Sequence, residues 1–265
     1  MRFAVLGSGS RGNATLIECN GTRLLLDCGF ALRDLEQRLA AVDAEPRDLA
    51  AVVVTHEHRD HVAGVVRLAQ RYGLAVWATP GTWNALCRGN TAYKDPGRRA
   101  AWSELPRPRL FPSHVPSLRI GALMLRPIPV PHDAREPCQF VFEGGGRRLG
   151  VLTDAGTVTP RMCEALRDCD ALMLEANHDP QMLKLGPYPP SVQRRVGGAF
   201  GHLSNTQAAE LLDRVRHAGL RRVLLSHLSQ QNNRPELALA AMRGVCSDLD
   251  VGVADQDLGS GWLQV

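Results

Sequence analysis

The sequence predicts an α/β protein, more broadly α+β, in which two mixed β-sheets pack face to face and carry helices on their outer surfaces. Predicted strands occur in two batches along the 265 residues, and helical segments follow each batch. The composition, 44% hydrophobic and 22% charged, suits a globular chain with a substantial core. Because no linker-like stretch marks a boundary, we predict a single domain over residues 1–265, with comparable halves at about 1–122 and 123–265.

Apolar alternation and helical spacing predict seven elements in the first half. In order, these are strands at Arg2–Leu6, Ala14–Glu18 and Thr22–Leu26, a helix at Leu32–Val42, a strand at Ala51–Val54, a helix at Val62–Tyr72 and a strand at Ala75–Ala78. Glycine-containing turns separate the first three strands, which predicts an antiparallel meander. The strand at Ala51–Val54 is uninterruptedly apolar, as expected of a strand buried on both faces.

The second half begins after an irregular stretch. Residues 87–117 are rich in Arg, Pro and Gly and are predicted to form a surface excursion. Beyond them we predict strands at Leu123–Val130, Gln139–Glu143 and Arg148–Leu152, a helix at Pro160–Arg167, a strand at Ala171–Leu174, an irregular Pro/Gly-rich segment at 181–201, a helix at Thr206–His217, a strand at Val223–Ser226, a helix at Glu236–Val245 and two short strands in the tail. Ser204 or Asn205 is placed to cap the helix that begins near Thr206.

The composition argues against several classes of protein. No apolar run approaches the roughly 20 residues that span a bilayer, and the first residues lack the layout of a signal peptide. Seven cysteines without paired spacing favour a reducing compartment, with the cytoplasm as the expectation, and Cys28, Cys138 and Cys163 are predicted to be core residues. The 29 Arg and 2 Lys outnumber 27 acids, giving net +4. We favour a genome biased toward Arg codons as the explanation, and Arg also suits phosphate recognition.

Four candidate metal ligands follow the apolar strand at Ala51–Val54 within a few residues: His56, His58, Asp60 and His61. His56 and His58 are two positions apart, so both side chains can point to the same side of an extended segment. Asp60 and His61 follow where the chain turns into a helix. Imidazole nitrogens and carboxylate oxygens are the donors that Zn²⁺, Mn²⁺ and Fe²⁺ accept. The segment therefore predicts a metal site at a strand end.

This His-x-His-x-Asp-His stretch resembles the signature of the metallo-β-lactamase superfamily. The resemblance implies further ligands at downstream strand ends, where His132, Asp154 and His227 match, and an early aspartate, Asp27, that supports the metal loop by hydrogen bonding. One implied metal ion is held by His56, His58 and His132. A second is held by Asp60, His61 and His227, and Asp154 lies between the two.

Two divalent ions roughly 3.5–4 Å apart would bind a bridging water, generate hydroxide at neutral pH and stabilise charge on a phosphoryl oxygen. Zn²⁺ or Mn²⁺ is expected, with Fe²⁺ and Ni²⁺ as further candidates. Asp60 is also a candidate to receive or orient the proton of the nucleophile. A carboxylate at Asp154, where many lactamases have a cysteine, favours phosphodiester cleavage over lactam cleavage.

Three further segments contain candidate substrate contacts. In the Gly/Ser turn before Asn13, the hydroxyls of Ser8 and Ser10 and the backbone N–H groups could hold a phosphate. His178 either faces the site or is a structural histidine. In the related ribonuclease Z branch, a Gly-His element before a helix supplies a histidine to the substrate phosphate. This implies that His202 either protonates the leaving oxygen as general acid or stabilises the transition state. Ser204 and Asn205 are helix caps or substrate contacts. His114 and His217 fit no motif and are predicted to lie on the surface.

Taken together, these motifs resemble the YycJ/WalJ family, bacterial proteins described as DNA exonucleases, from residue 5 to about 233. The resemblance implies an αββα sandwich, two divalent metal ions and 5′-to-3′ exonuclease activity on double-stranded DNA. Arginine clusters at 98–99, 107–109, 194–195 and 221–222 are candidate phosphate contacts. A small-molecule hydrolase of cyclic phosphodiesters or thioesters, and a non-catalytic regulatory metalloprotein, remain as alternatives. No membrane partner is expected, and the oligomeric state stays open.

Overall fold

Each of two β-sheets contains seven strands in the computed structural model, which describes residues 1–88, 101–105, 108–246 and 249–265. The contacts group the chain into two compact units. The first unit comprises Met1–Pro127, Ala134–Cys138 and Asp255–Gln264. The second comprises Ile128–Asp133, Gln139–Ala254 and Val265. Within the described residues, no helix has the length and apolar character that crossing a bilayer requires.

The first part of the chain contains six of the seven strands of the first sheet, the helices between them, and the first two strands of the second sheet. The elements in order are β1 (Arg2–Gly7), β2 (Ala14–Cys19), β3 (Thr22–Leu26), α1 (Leu32–Ala40), a 3₁₀ turn (Pro46–Asp48), β4 (Leu49–Val53), α2 (Arg59–Val62), α3 (Val65–Tyr72), β5 (Ala75–Ala78), α4 (Pro80–Arg88), β6 (Pro108–Leu110), β7 (Leu118–Ile120) and β8 (Leu123–Pro129). The first sheet has the order β14-β1-β2-β3-β4-β5-β6, where β14 is the C-terminal strand Gly261–Gln264. Its first three strands form the predicted antiparallel meander, and β3 to β6 run parallel.

The remaining elements alternate strands with helices. They are β9 (Cys138–Gly144), β10 (Arg147–Leu152), α5 (Pro160–Leu166), β11 (Ala171–Glu175), α6 (Pro180–Leu185), α7 (Pro190–Val196), α8 (Asn205–Val215), β12 (Arg222–Ser226), α9 (Pro235–Arg243) and β13 (Asp250–Val253). The second sheet has the order β13-β12-β11-β10-β9-β8-β7, in which β10 to β13 are parallel. Parallel neighbours bring their carboxyl ends to the same edge of the sheet.

Each unit has its own apolar core. In the first unit, Leu35 and Leu39 of α1 are fully buried and belong to one cluster with Val52 of β4. In the second unit, Leu211 and Leu212 of α8 belong to a cluster with strand residues that are also buried. Every residue of β11 is buried, as expected of a central strand in a parallel sheet that is covered on both faces.

The structure corrects the predicted helix at Val62–Tyr72, which is interrupted after α2 and restarts as α3. The interruption lies at Gly64, whose N–H donates to the carbonyl of Cys28 at 2.9 Å. A Cβ atom at this position would lie 2.0 Å from the carbonyl oxygen of Phe30. The close approach of the two backbones therefore requires glycine and separates the metal-ligand helix from the longer helix that follows.

Two segments predicted as irregular contain regular structure. Residues 89–100 and 106–107 of the predicted excursion at 87–117 lie outside the described residues, but β6 forms a parallel edge strand beside β5. Helix α4, which ends inside the excursion, was not predicted. The segment at 181–201 contains α6 and α7, which begin at or near proline, a residue whose fixed φ suits the first helical turn. The Pro/Gly content therefore marked helix boundaries instead of an unstructured loop.

The cysteines behave largely as predicted. Cys28 and Cys138 are buried, which confirms them as core residues, and Cys163 is partly buried against the second core. None of the seven forms a disulfide within the described part of the chain. Burial raises the pKa of the Cys28 thiol to about 12, so it is an unreactive core group.

Backbone hydrogen bonds tie the metal-ligand segment to two neighbouring loops in the first unit. The N–H of Asn13 donates to the carbonyl of Asp60 at 2.7 Å, and the N–H of Cys28 donates to the carbonyl of His61 at 2.8 Å. Gly29 donates in turn to the carbonyl of Asn13 at 2.9 Å. A Cβ at Gly29 would lie 1.8 Å from the Asp60 carbonyl oxygen, so only glycine permits this approach.

We predict that Gly29→Ala destabilises the protein by about 2–3 kcal/mol, because the added methyl group must displace the Asp60 backbone. The matched control is Gly244→Ala at the end of α9, where φ is −66° and the nearest neighbour of a new Cβ is 3.7 Å away. This control should change stability by no more than about 0.5 kcal/mol. Urea unfolding of both variants measures the difference, and equal stabilities would contradict the described packing.

Candidate metal centre

In the first unit, the candidate ligands lie beyond the carboxyl ends of two parallel strands. Asp27 directly follows β3, and His56 comes three residues after β4. His58 is the residue before α2, and Asp60 and His61 lie in its only turn. The parallel pairing of β3 with β4 therefore brings the predicted supporting aspartate to the same sheet edge as the predicted metal loop.

The carboxylate of Asp27 is buried and orients His61. It accepts hydrogen bonds from the backbone N–H of Thr55 at 2.9 Å, from the Thr55 hydroxyl at 2.8 Å and from His61 Nδ1 at 2.7 Å. Burial raises the pKa of the Asp27 carboxyl, while the His61 and Thr55 contacts oppose that rise. A proton on His61 Nδ1 leaves Nε2 as the nitrogen with a lone pair, which is the form that binds a metal ion.

Three imidazole rings of the metal loop are packed together. The ring centroid of His56 is 4.5 Å from that of His58 and 4.2 Å from that of His61. The side-chain nitrogen of Asn13 lies 3.1 Å from His61 Nε2 and 3.3 Å from Asp60 Oδ2. This amide directs its hydrogens at the atoms that a divalent cation would contact, so the local donor set suits a cation.

A cavity of about 690 Å³ adjoins Asp60 within the first unit. Arg11, Arg59 and Arg67 line it together with Ser10, and Leu32 and Trp102 contribute apolar surface. Of the predicted phosphate contacts in the Gly/Ser turn, Ser10 is exposed at this cavity, whereas Ser8 is buried. The Asn13 side chain closes the turn, because its Oδ1 accepts from the N–H of Gly9 at 2.8 Å.

In the second unit, three acidic or histidine residues occupy the ends of adjacent parallel strands. Asp154 lies two residues beyond β10, Glu175 is the last residue of β11, and His227 directly follows β12. Asp154 and His227 have φ values of 54° and 55°, in the left-handed region that disfavours most side chains. The backbone turns sharply at these two positions and brings the side chains back over the sheet edge.

Glu175 is fully buried and holds His202 by a hydrogen bond. Its carboxylate accepts from His202 Nδ1 at 2.8 Å and from the N–H groups of Ala155 and Leu203, both at 3.0 Å. Burial favours a higher pKa for the Glu175 carboxyl, but the charge and hydrogen bond of His202 outweigh it and lower the pKa to about 2. The carboxylate therefore stays ionised, and His202 Nε2 is the nitrogen left to meet a substrate.

The predicted ligands His132, Asp154 and His227 lie close together in this unit. Asp154 Oδ1 is 3.4 Å from His227 Nε2 and 4.0 Å from His132 Nε2. His132 donates from Nδ1 to the carbonyl of Gly201 at 2.9 Å, so its Nε2 carries the lone pair. The ring centroid of His202 lies 5.2 Å from those of both His132 and His227.

Other predicted contacts have structural partners. Ser204 caps α8, because its hydroxyl accepts from the N–H of Gln207 at 3.2 Å. Asn205 and Asn233 exchange side-chain amide hydrogen bonds of 2.9 and 2.8 Å. His178 is buried, its carbonyl accepts from the N–H of Asn205, and burial lowers its pKa to about 4, so the ring is neutral at pH 7. The structure gives these three positions structural roles, and substrate contact by them stays untested.

The surface histidines are as predicted, and several residues were missed. His114 and His217 are exposed. Glu175 was not predicted as a site residue, although it lies at a strand end as Asp154 does. Asn177 was missed as well; its side-chain nitrogen donates to the carbonyl of His227 at 2.9 Å and thereby supports the left-handed turn.

The donor sets of both units fit divalent metal ions. Asp154, Glu175, His202 and His227 each offer one ligand atom, and these atoms lie within 4.8 Å of one another. His61 and His132 both have Nδ1 bonded to an oxygen of the protein, which orients Nε2 as a ligand. A mixture of imidazole and carboxylate donors without cysteine suits Zn²⁺, Mn²⁺ or Fe²⁺.

Comparison with known proteins supports this assignment. The model of the Beta-lactamase superfamily domain matches residues 22–228. The exodeoxyribonuclease WalJ of Streptococcus pneumoniae is 32% identical over 252 residues, covering 95% of this chain and 90% of that protein. The exodeoxyribonuclease YycJ of Bacillus anthracis is 32% identical over 256 residues, covering 96% and 92%.

A solved structure supports the fold. Zn²⁺-bound PqqB of Methylobacterium extorquens superimposes with a TM-score of 0.73 at 19% identity and covers 100% of both chains. An identity this low bears on the fold alone. The predicted class, an αββα sandwich of two mixed sheets, is confirmed.

We predict that Asp27→Asn lowers metal affinity about 10- to 100-fold, because an amide NH₂ facing His61 Nδ1 shifts the ring proton to Nε2 and removes the ligand lone pair. Competition with a chromogenic chelator measures the affinity for Zn²⁺ and Mn²⁺. Asp34→Asn, which removes a helix-surface ion pair with Arg38, is the control and should bind like the wild type. Wild-type affinity in the Asp27 variant would refute the orienting role.

Proposed function

This chain belongs to the beta-lactamase superfamily and, within it, to the family of the exodeoxyribonucleases WalJ and YycJ, and from that premise we propose that it degrades double-stranded DNA from the 5′ end with the help of two divalent metal ions. It is a metal-dependent hydrolase of the exodeoxyribonuclease class. To this class we add three proposals: the 5′-to-3′ polarity of cleavage, the preference for double-stranded DNA, and the presence of two metal ions.

The observation that carries the proposal is similarity to two exodeoxyribonucleases along at least 95% of the chain. The superfamily match at residues 22–228 includes all seven proposed metal ligands. The donor geometry supports the same conclusion, because each unit places its acidic and histidine side chains at the carboxyl ends of parallel strands.

We assign the ligands in two groups. His56, His58 and His132 would hold one ion, Asp60, His61 and His227 would hold the other, and Asp154 would contribute to both. When bound, two such ions activate water and neutralise charge on a phosphodiester group. Zn²⁺ or Mn²⁺ is our expectation for their identity, and Fe²⁺ or Ni²⁺ would suit the same donors.

The chain supplies the proton chemistry through His202. Glu175 holds His202 Nδ1 and stabilises a positively charged ring, so Nε2 can carry a proton to the oxygen that leaves phosphorus. The carboxylate of Asp60, whose side chain is 24% exposed, would orient the attacking water. His202 is itself partly exposed, at 18% of its side-chain surface, so it can meet a substrate.

The cavity beside Asp60 supports a phosphodiester substrate. Arg11, Arg59 and Arg67 line one cavity together with Ser10, and Arg11 also pairs with Asp257. Guanidinium forks donate paired hydrogen bonds to phosphate oxygens.

We place the reaction in the cytoplasm, on the basis of a DNA substrate and cysteines that form no disulfide.

We predict that the metal-loaded protein releases mononucleotides from 5′-labelled linear duplex, and that label at the 3′ end is released only late. Asp154→Ala should lower the rate at least about 100-fold, because it removes a ligand of both ions. Electrophoresis of timed samples measures release, with Asp168→Ala, at an exposed position, as the control.

Cleavage of a cyclic dinucleotide but not of DNA would instead support the small-molecule alternative. Metal content without turnover of any phosphodiester would support the regulatory one.

We predict that Glu175→Gln lowers kcat about 10- to 100-fold and leaves KM nearly unchanged, because the neutral amide no longer stabilises a protonated His202. Steady-state kinetics on the same duplex measures both constants. Glu143→Gln on β9, which alters an ion pair with Arg148 of β10, should retain wild-type constants. A change confined to KM would contradict the assigned role.

A further inference from the structure

Residues 180–201, here called the α6–α7 arm, connect His178 and Asp179 with His202. Helix α7 in this arm has no buried residue. A helix without an apolar face toward the core gains little from tertiary packing. Helix α7 therefore contributes little to the core and presents most of its surface to solvent.

The arm has an unusual charge. The chain contains 27 acidic residues in 265, about one in ten, yet residues 180–209 contain none. The same stretch contains Lys184, Arg194 and Arg195. Lys184 and Arg194 are exposed, while Arg195 Nε bonds to Asp133 Oδ2 at 2.5 Å. The arm is thus a cationic surface beside the candidate metal centre, and it suits a polyanion.

An exposed aromatic ring lies at the end of this arm. Five of the six phenylalanines are at most 5% exposed, whereas Phe200 is 63% exposed. Exposing a phenyl ring forgoes the stabilisation that burial provides. A flat ring on a cationic surface is the combination that proteins use to bind single strands of nucleic acid by base stacking.

The backbone around Phe200 is fixed to the candidate site. The Phe200 carbonyl accepts from the N–H of Asp133 at 3.0 Å, and the next carbonyl, that of Gly201, accepts from His132 Nδ1 at 2.9 Å. The N–H of His202 donates to the Val196 carbonyl at 2.9 Å. A Cβ at Gly201 would lie 2.1 Å from that same carbonyl oxygen, so the tight turn requires glycine. The ring is therefore held two residues from the proposed general acid.

We infer that the α6–α7 arm binds the DNA strand next to the phosphodiester that is cleaved, with Phe200 stacked on a base and with Lys184 and Arg194 in contact with backbone phosphates. The inference rests on the proposed function and specifies which surface meets the substrate. A protein partner is expected to need a larger apolar patch, whereas the large exposed apolar side chains of the arm are Leu185 and Phe200, and the arm also carries the exposed Lys184 and Arg194.

The test of stacking uses the metal-loaded full-length protein and a fluorescein-labelled duplex whose ends carry phosphorothioate linkages that resist cleavage. Phe200→Ala should raise the Kd about 10-fold or more, and Phe200→Trp should keep it near the wild-type value. Leu258→Ala, at a position 89% exposed and outside the arm, should leave it unchanged. Leu258→Ala should also hydrolyse bis(p-nitrophenyl) phosphate at the wild-type rate, and the same assay on the Phe200 variants shows whether their metal centre is intact.

The phosphate contacts have a separate readout in the salt dependence of Kd. Lys184→Ala/Arg194→Ala should reduce the slope of log Kd against log salt by about 1.4–1.8, since each phosphate contact contributes about 0.7–0.9. Arg214→Ala/Arg243→Ala removes two exposed arginines from α8 and α9 and is the matched control, with an unchanged slope.

The outcomes separate the two proposals. The inference would be overturned if the arm variants kept the wild-type Kd and the wild-type salt slope. It would also be overturned if Phe200→Ala changed the sedimentation coefficient without changing Kd, and that result would indicate a protein interface. Binding of duplex that depends on the arm, without degradation of unprotected DNA by the wild type, would overturn the proposed exonuclease and leave the arm as a DNA-binding surface.

Discussion

The site depends on two buried carboxylates that each hold an imidazole. Burying a carboxylate is costly unless hydrogen bonds replace the lost water. Asp27 meets this requirement with Thr55 and His61, and Glu175 meets it with two backbone N–H groups and His202. Each carboxylate also joins loops that are far apart in sequence. The same bonds that make burial tolerable therefore fix the ring orientations on which metal binding and proton transfer depend.

The strand ends store conformational strain at the same places. Asp27, Asp154 and His227 have φ values of 60°, 54° and 55°, and they are three of the five non-glycine residues with positive φ in the described chain. A non-glycine residue in this region costs of order 1 kcal/mol or more, and it persists when its surroundings over-determine it. Asn177 illustrates this, because its bond to the His227 carbonyl holds the turn. The backbone reversal lets a side chain return over the sheet edge toward a ligand.

Much of the fold was predictable because local signals determine it. The strand Thr22–Leu26 and the strand Ala75–Ala78 have the bounds that alternation and apolar runs predicted. The interruption at Gly64 was not predictable, since it depends on Phe30, which is distant in sequence. Metal-ligand candidates were visible as short motifs at strand ends. Glu175 also lies at a strand end, but its hydrogen bond with His202 arises only when the fold brings these two residues together.

The arginine excess has a structural explanation for much of the chain, which limits what composition can say about DNA. Arg23 bonds Glu18 at 2.6 Å and Asp48 at 2.7 Å, and Arg38 donates to the carbonyl of Leu6 while its guanidinium stacks 4.0 Å above the Phe30 ring. Such arginines neutralise carboxylates or donate hydrogen bonds to backbone carbonyls. They therefore add little to the electrostatic attraction of a polyanionic ligand. A cation attracts a polyanion where no acid compensates it. For that reason Lys184 and Arg194 of the arm, together with the exposed Phe200 ring, bear more directly on substrate binding than the net charge of +4 does.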